Sequence, residues 1–458
     1  MKKMVKKISK KELKHKARRY SIKEGIFASI KSSFGDHYIA PFAIAINTSN
    51  SMVALLTSIQ GLLSPLSQMF SSRLIEKHSR KKIVMNAVLF EALMWFPFML
   101  LALLFYKGII ITQLPLLLLF FFSLYVIAMG ISGPAWFSWM GDIVDDNYRG
   151  RWFAKRNLLT GVVSIFFVIT SAIFLDYLSK KGLIIIGFAV IFFMASLARI
   201  ISWRLFKKQY EPKIKIKKNY YFSFSEFIIN SPKTNFGKFT IFRTLLGFAQ
   251  AISAAIISIY LLKELNFNYV MYTIIIFSGS GFSLAVIGIW GKFADHYGNY
   301  KVLTLTSALI PIIPILWIIN SNPFYLILVP QFISGIAWSG FNLSSDNFIY
   351  DNVTPQKRTL AISYHNMLYG IGIFLGAGLG AFLIGVLKTE SINPILLIFV
   401  ISGILRMFIV FIFLPKIKEV RKTKKIKSKD AVKYLIFKEA KPTLLEEAHE
   451  IMSIRKYL

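Results

Sequence analysis

The run Leu114-Pro-Leu-Leu-Leu-Leu-Phe-Phe-Phe-Ser-Leu-Tyr-Val-Ile-Ala-Met-Gly-Ile-Ser-Gly-Pro-Ala-Trp136 holds 23 residues without one charged side chain. A helix needs roughly 20 mostly apolar residues to cross the hydrocarbon of a bilayer, so this stretch reads as a membrane span. Outward from it, the same reading marks 25–46, 52–72, 83–106, 158–178, 183–203, 239–262, 270–290, 302–319, 324–345, 364–387 and 394–414. Composition points the same way. Of 458 residues, 55% are hydrophobic, and the mean hydropathy is +0.56. A water-soluble domain cannot cover that much apolar surface. The expected fold class is all-α integral membrane, with twelve transmembrane helices.

The charges sort by side. The net charge is +33, which in a soluble protein would suggest nucleic acid. Here 46 of the 55 Lys and Arg lie in the two tails and in alternate links, while Lys107, Lys180, Lys181, Lys263 and Lys388 lie on the other side. The positive-inside rule then places both termini in the cytoplasm of a multi-pass cell-membrane protein. The basicity reads as topology and attraction to anionic lipid, not nucleic-acid binding. The expected organisation is a basic tail 1–24, a six-helix bundle 25–203, a linker 204–238, a second bundle 239–414 and a basic tail 415–458. Around Asp430–Leu458 two readings stay open, an amphipathic helix lying on the membrane and a solvated basic tail. The lack of cysteine excludes disulfides, thiolate metal sites and cysteine nucleophiles.

The two halves repeat one another. Asp142, Arg149 and Asn157, after span four, align at one offset with Asp351, Arg358 and Asn366, after span ten. Arg151 lies in the same basic stretch. Ser72-Arg-Leu-Ile-Glu76-Lys-His-Ser79 follows span two, and Gly291-Lys-Phe-Ala-Asp295-His-Tyr-Gly298-Asn-Tyr-Lys301 follows span eight. Spans six and twelve carry Arg199 and Arg406. Shared order at nearly constant spacing indicates an internal duplication.

The segment Gly291-x-x-x-Asp295-x-x-Gly298-x-x-Lys301 resembles the loop motif between helices eight and nine of major facilitator superfamily transporters. The copy between helices two and three is degenerate, with Ser72, Glu76 and Ser79 where Gly, Asp and Gly are usual. The resemblance implies two pseudo-symmetric six-helix bundles around a cavity that opens alternately to each side. It also implies that Glu76, Asp142, Arg149, Arg151, Gly291, Asp295, Gly298, Asp351 and Arg358 form a cytoplasmic gate; the alternative is charge that only fixes topology. Two features of the family are missing. No arginine stands in Leu114–Trp136, as in helix four of many proton-coupled members, and Leu158–Leu178 lacks the Gly-Pro pattern of drug antiporters.

Ionisable residues inside a span cost roughly 2.5–3.5 kcal/mol each on insertion scales, so each is a functional candidate. Span one carries Lys31, Asp36 and His37, with Asp36 near mid-membrane. The resemblance puts helix one at the cavity, which makes Asp36, His37 and Lys31 candidates for proton or solute binding, with snorkelling to the interface as the alternative for Lys31. Arg243 and Gln250 in span seven, and Gln331, Trp338 and Asn342 in span ten, are further candidates for solute contact. Trp338 and Asn342, four apart, suit a polar solute with a flat face, and equally suit packing. Glu91, Arg199 and Arg406 read first as structural, with a functional role as the open alternative. Gly372, Gly376 and Gly380 form a small-residue stripe for close helix contact.

No phosphate loop, zinc motif or nucleophile elbow is present, and no cofactor or metal is expected. The expected function is a secondary transporter, not an enzyme, that moves a small organic solute by alternating access and acts as a monomer. Proton coupling is left open. The alternatives are a passive facilitator, a polytopic membrane enzyme and a lipid-handling protein.

Overall fold

The computed structural model describes residues 9–144, 149–212, 223–387, 393–421, 423–424 and 430. Among them no strand occurs, and the chain forms two compact units. The first comprises Met1–Lys218 and Leu261–Val270; the second comprises Asn219–Tyr260 and Met271–Leu458. The tail around Asp430–Leu458, for which two readings stay open, lies, beyond Asp430, outside the described residues.

The first unit begins with α1 (Lys10–Phe34), a 3-10 turn (Asp36–Tyr38) and α2 (Ile39–Ala45). It continues with α3 (Asn50–Lys77), α4 (Arg80–Tyr106), α5 (Leu114–Ile143), α6 (Arg149–Lys180) and α7 (Ile184–Lys207). Serine caps start several helices: Ser9, Ser49 and Ser79 accept from the amides of Glu12, Met52 and Lys82. α4 packs on α5 and α7, α3 on α5, and α1 on α6 and α7. An aromatic core joins them: the Trp95 ring meets Tyr125 at 5.0 Å and Phe192 at 5.7 Å, and Phe42 meets Phe192 at 5.1 Å. The segment Leu261–Val270 is held by Lys263, which donates to Thr48 O and Asn50 Oδ1, and by Asp176, which accepts from the amides of Tyr269 and Val270.

The second unit holds α8 (Phe224–Asn230), α9 (Asn235–Ala254), α10 (Ile257–Ile259), α11 (Tyr269–Tyr297) from Met271 on, α12 (Asn299–Leu309), α13 (Ile312–Ile319), α14 (Pro323–Leu326), α15 (Phe332–Asn352), α16 (Pro355–Val386) and α17 (Pro394–Phe413). α16 lies along α9. A Cβ at Gly372, Gly376 or Gly380 would come within 2.4, 2.0 and 2.4 Å of the carbonyl oxygens of Thr244, Phe248 and Ile252. Both partners step by four residues, so the glycine stripe is a helix–helix seam. In the first unit α1 and α6 join through serine instead: Ser33 Oγ donates to Ser164 O at 3.0 Å.

Eleven helical stretches among the described residues are long and apolar enough to cross a membrane. The remaining apolar stretch, 25–46, is divided by the turn at Asp36–Tyr38 and carries Lys31, Asp36 and His37. Several helices outrun the marked spans. α1 starts at Lys10, inside the expected tail, and α6 and α16 start at Arg149 and Pro355. Hydropathy marks only the part of a helix that meets hydrocarbon, whereas backbone hydrogen bonding continues into its polar ends. Pro65, Pro97 and Pro134 sit within unbroken helices, while Pro311 marks the break between α12 and α13.

Candidate functional site

Gly35 ends α1, and a Cβ there would lie 2.2 Å from the Trp95 ring. Absence of a side chain therefore admits the indole, and the chain turns through Asp36–Tyr38. Three polar groups converge on the Asp36 carboxylate at this break. Lys31 Nζ donates to Asp36 Oδ2 at 3.0 Å and to the Tyr125 hydroxyl at 2.9 Å. Ser32 Oγ donates to the same carboxylate oxygen at 2.6 Å, and the Tyr125 hydroxyl donates to Asp36 Oδ1. Lys31 is buried, whereas the Asp36 side chain is 25% exposed, so the carboxylate is the accessible member of the pair. His37 follows in the turn, half-buried. Tyr125 escaped the sequence reading; its signal is a lone phenol in the apolar run 114–136, whose hydroxyl must find a partner when buried.

One layer away, four charges from four helices form a closed network. Glu91 (α4) accepts from Arg199 (α7) at 2.7 and 2.9 Å and from Ser132 at 3.1 Å. Glu24 (α1) lies 3.7 Å from Arg199, accepts from Arg156 (α6) at 3.3 Å and from Ser202 at 3.0 Å. Two acids balance two bases. Glu24 and Arg156 were missed because both lie just outside the marked spans.

In the second unit, Arg243 Nη2 donates to Asn342 Oδ1 at 3.3 Å, and its guanidinium lies 5.4 Å from the Phe341 ring and 5.0 Å from the Tyr369 ring. Asp346, one turn beyond Asn342 on α15, is within electrostatic reach of Arg243 and was not foreseen. Trp338 packs edge-on against Phe341 at 5.5 Å. Arg243, Asn342 and Trp338 thus share one neighbourhood. Gln331 is placed elsewhere: it is buried, and its Oε1 would lie 2.3 Å from a Cβ at Gly279. The carbonyl of Gln250 accepts from Arg406 at 3.4 Å.

At the end of each unit that carries the basic links, the two repeats build matching caps. In the first unit, Arg80 opens α4 and is 1% exposed. It pairs with Asp142 at 2.7 Å, donates to Ser138 O at 2.7 Å, and lies 3.7 Å from Glu211, which also accepts from the Lys81 amide at 3.3 Å. In the second unit, Asn299 opens α12 and donates to Asp351 at 2.7 Å, and Glu419 accepts from the Tyr300 amide at 2.8 Å. Glu211 and Glu419 follow Arg199 and Arg406 at nearly equal spacing, a signal the repeat comparison overlooked. Gly298 caps α12 with φ +90°, a backbone state that disfavours other residues. At Gly291 a methyl would make only ordinary contact with Leu343, at 3.9 Å. Asp295 is exposed and pairs loosely with Arg421 at 3.8 Å. The side chains of Glu76, Arg149, Arg151 and Arg358 lie outside the described residues. No group of His, Asp or Glu among the described residues is arranged to hold a metal ion.

The family model of the Major Facilitator Superfamily matches residues 26–241 and again 239–456. The chain belongs to this superfamily. The two matches correspond to the two six-helix repeats, and they make the chain a multi-pass membrane protein of a transporter family. No curated protein matches it. Among solved structures, a variant of the nucleoside transporter NupG is similar at TM-score 0.65 and 15% identity, covering 89% of this chain and 100% of that one. A bacterial homologue of the iron transporter ferroportin in an inward-facing state is similar at TM-score 0.65 and 12% identity, covering 87% and 98%. A POT family transporter in complex with 5-aminolevulinic acid is similar at TM-score 0.64 and 13% identity, covering 87% and 97%. Identities this low carry the superfamily's fold and nothing about the solute.

Proposed function

We propose that the chain is a secondary carrier of the cell membrane, moving a small polar organic solute by alternating access with both termini in the cytoplasm. The observation that carries this reading is the Lys31–Asp36–Tyr125 cluster at a broken helix. An ion pair held within an apolar span is costly to insert, which makes it a functional candidate by default. The break supplies backbone groups that such a site can also use. In the second unit, Arg243, Asn342 and Trp338 offer a cation, an amide and a ring, suited to a solute with a flat face and a polar edge.

Passive facilitation is the second reading. Lys31 balances Asp36, so the cluster carries no net charge for a proton to neutralise, and helix four lacks the arginine of many proton-coupled relatives. In either case the carrier acts as a monomer.

A thermal-shift screen of purified protein against solute libraries, followed by counterflow in proteoliposomes, tests the proposal. Asp36→Asn should abolish counterflow of the solute so identified while the protein stays folded. Unchanged counterflow would remove Asp36 from the site. Accumulation that is equal with and without a pH gradient selects facilitation.

A further inference from the structure

A cavity of about 500 Å³ opens in the first unit between α3, α4 and α5, within the range of roughly 300–1,000 Å³ common to ligand sites. Its walls are apolar: Ile83 and Phe90 from α4, Leu124 and Ile131 from α5. Its mouth is not, being formed by His78, Lys82 and Asn86, all exposed. Lys82 and Phe90 are eight residues apart on one helix, so the groove runs about 12 Å from the charged mouth into the apolar span.

The basic run Lys77–Lys82 does not act as one. Arg80 turns inward to Asp142 and Glu211, and Lys81 Nζ donates to the carbonyls of Lys207 and Gln209. The side chains of His78 and Lys82 make no hydrogen bond or ion pair among the described residues. Two cationic or protonatable groups therefore stand at the rim of a greasy slot, at the level where the basic links meet the membrane surface.

We infer that this groove holds one anionic phospholipid, with its phosphate at Lys82 and His78 and one acyl chain along Ile83, Phe90, Leu124 and Ile131. Charge complementarity selects this occupant. The chain's own tail 415–458 carries 13 Lys and Arg and would be repelled by the same mouth. A small polar solute would leave the apolar depth unfilled. Basic pockets between membrane helices are established places for anionic headgroups.

Native mass spectrometry of the full chain in detergent tests this, with phosphatidylglycerol as probe and phosphatidylcholine as zwitterionic control. The expected result is one phosphatidylglycerol retained with an apparent affinity at least about fivefold above the control. Lys82→Gln should reduce phosphatidylglycerol retention about fivefold and leave phosphatidylcholine unchanged. Asn86→Trp, at the exposed mouth, should close the groove and weaken both. Equal retention of the two lipids by the unaltered protein, or phosphatidylglycerol retention unmoved by Lys82→Gln, overturns the inference. Loss of solute stabilisation in Asn86→Trp with lipid retention intact assigns the groove to the solute and overturns it as well.

Discussion

Replacing Glu91 by Gln keeps the side chain's shape and removes its charge. Glu91 is fully buried, and its carboxylate is the nearest counter-charge to Arg199, at 2.7 Å. Glu24 cannot take over: it lies 3.7 Å from Arg199 and already answers Arg156 and Ser202. The network would go from two acids and two bases to one acid and two bases. Breaking a buried pair from one side costs about 3–5 kcal/mol, because the remaining charge stays desolvated. For a unit of this size that corresponds to a fall in melting temperature of about 6–20 °C. Tryptophan fluorescence during thermal unfolding in detergent reads it directly, since Trp95 is buried beside the network's helices. The double variant Glu91→Leu with Arg199→Leu should recover most of the loss, because a removed pair leaves no orphan charge. A single variant melting within about 2 °C of the parent, or a double variant worse than Glu91→Gln, would refute the argument.

Three further outcomes follow from contacts described above. Gly376→Ala should destabilise by about 1–3 kcal/mol, since its Cβ would meet the Phe248 carbonyl at 2.0 Å and backbone cannot move aside cheaply; thermal unfolding checks it. Lys31→Met should lower stability more than Lys31→Met with Asp36→Asn, by about 1–3 kcal/mol, while counterflow stays absent in both; equal stability would show that the pair is not coupled. Asp295→Ala should change stability by less than about 0.5 kcal/mol, because its pair is exposed. A gating role would instead shift the labelling of single cysteines placed on this cysteine-free chain, and unchanged labelling would remove Asp295 from the gate.

The class of fold was legible because a membrane imposes a length and a composition on every span, and 114–136 meets both without a charge. The ionic cluster of helix one was legible in two of its three members for the same reason: Lys31 and Asp36 are anomalies against an apolar background. Tyr125 was hidden because a phenol is ordinary in such a background until its partner is known. The caps at Arg80 and Asn299 were hidden differently. Their acceptors, Asp142 and Asp351, lie about fifty or more residues away in sequence, and only the folded helix ends bring them together. The capping acids Glu211 and Glu419 act through backbone amides, and an amide leaves no mark in the sequence of the helix it belongs to.

The duplication also shows how one buried arginine can serve two different needs. Arg199 faces Glu91, eleven residues after Arg80; eleven residues after Asn299 stands Ile310, which has no charge to offer Arg406. Arg406 donates instead to the Ile310 carbonyl at 3.3 Å, the Gln250 carbonyl at 3.4 Å and Ser253 Oγ at 2.8 Å. The Ile310 carbonyl is available because Pro314, four residues on, has no N–H to give it. A carbonyl freed by proline inside a membrane span must find a donor, and Arg406 is that donor. Arg406→Leu should therefore cost about 1–3 kcal/mol through the orphaned carbonyl. Adding Pro314→Ala restores the helical donor and should return a large part of that loss. A thermodynamic cycle over the two positions measures the coupling; strict additivity would mean that Arg406 is held by its other acceptors and that the broken helix satisfies itself.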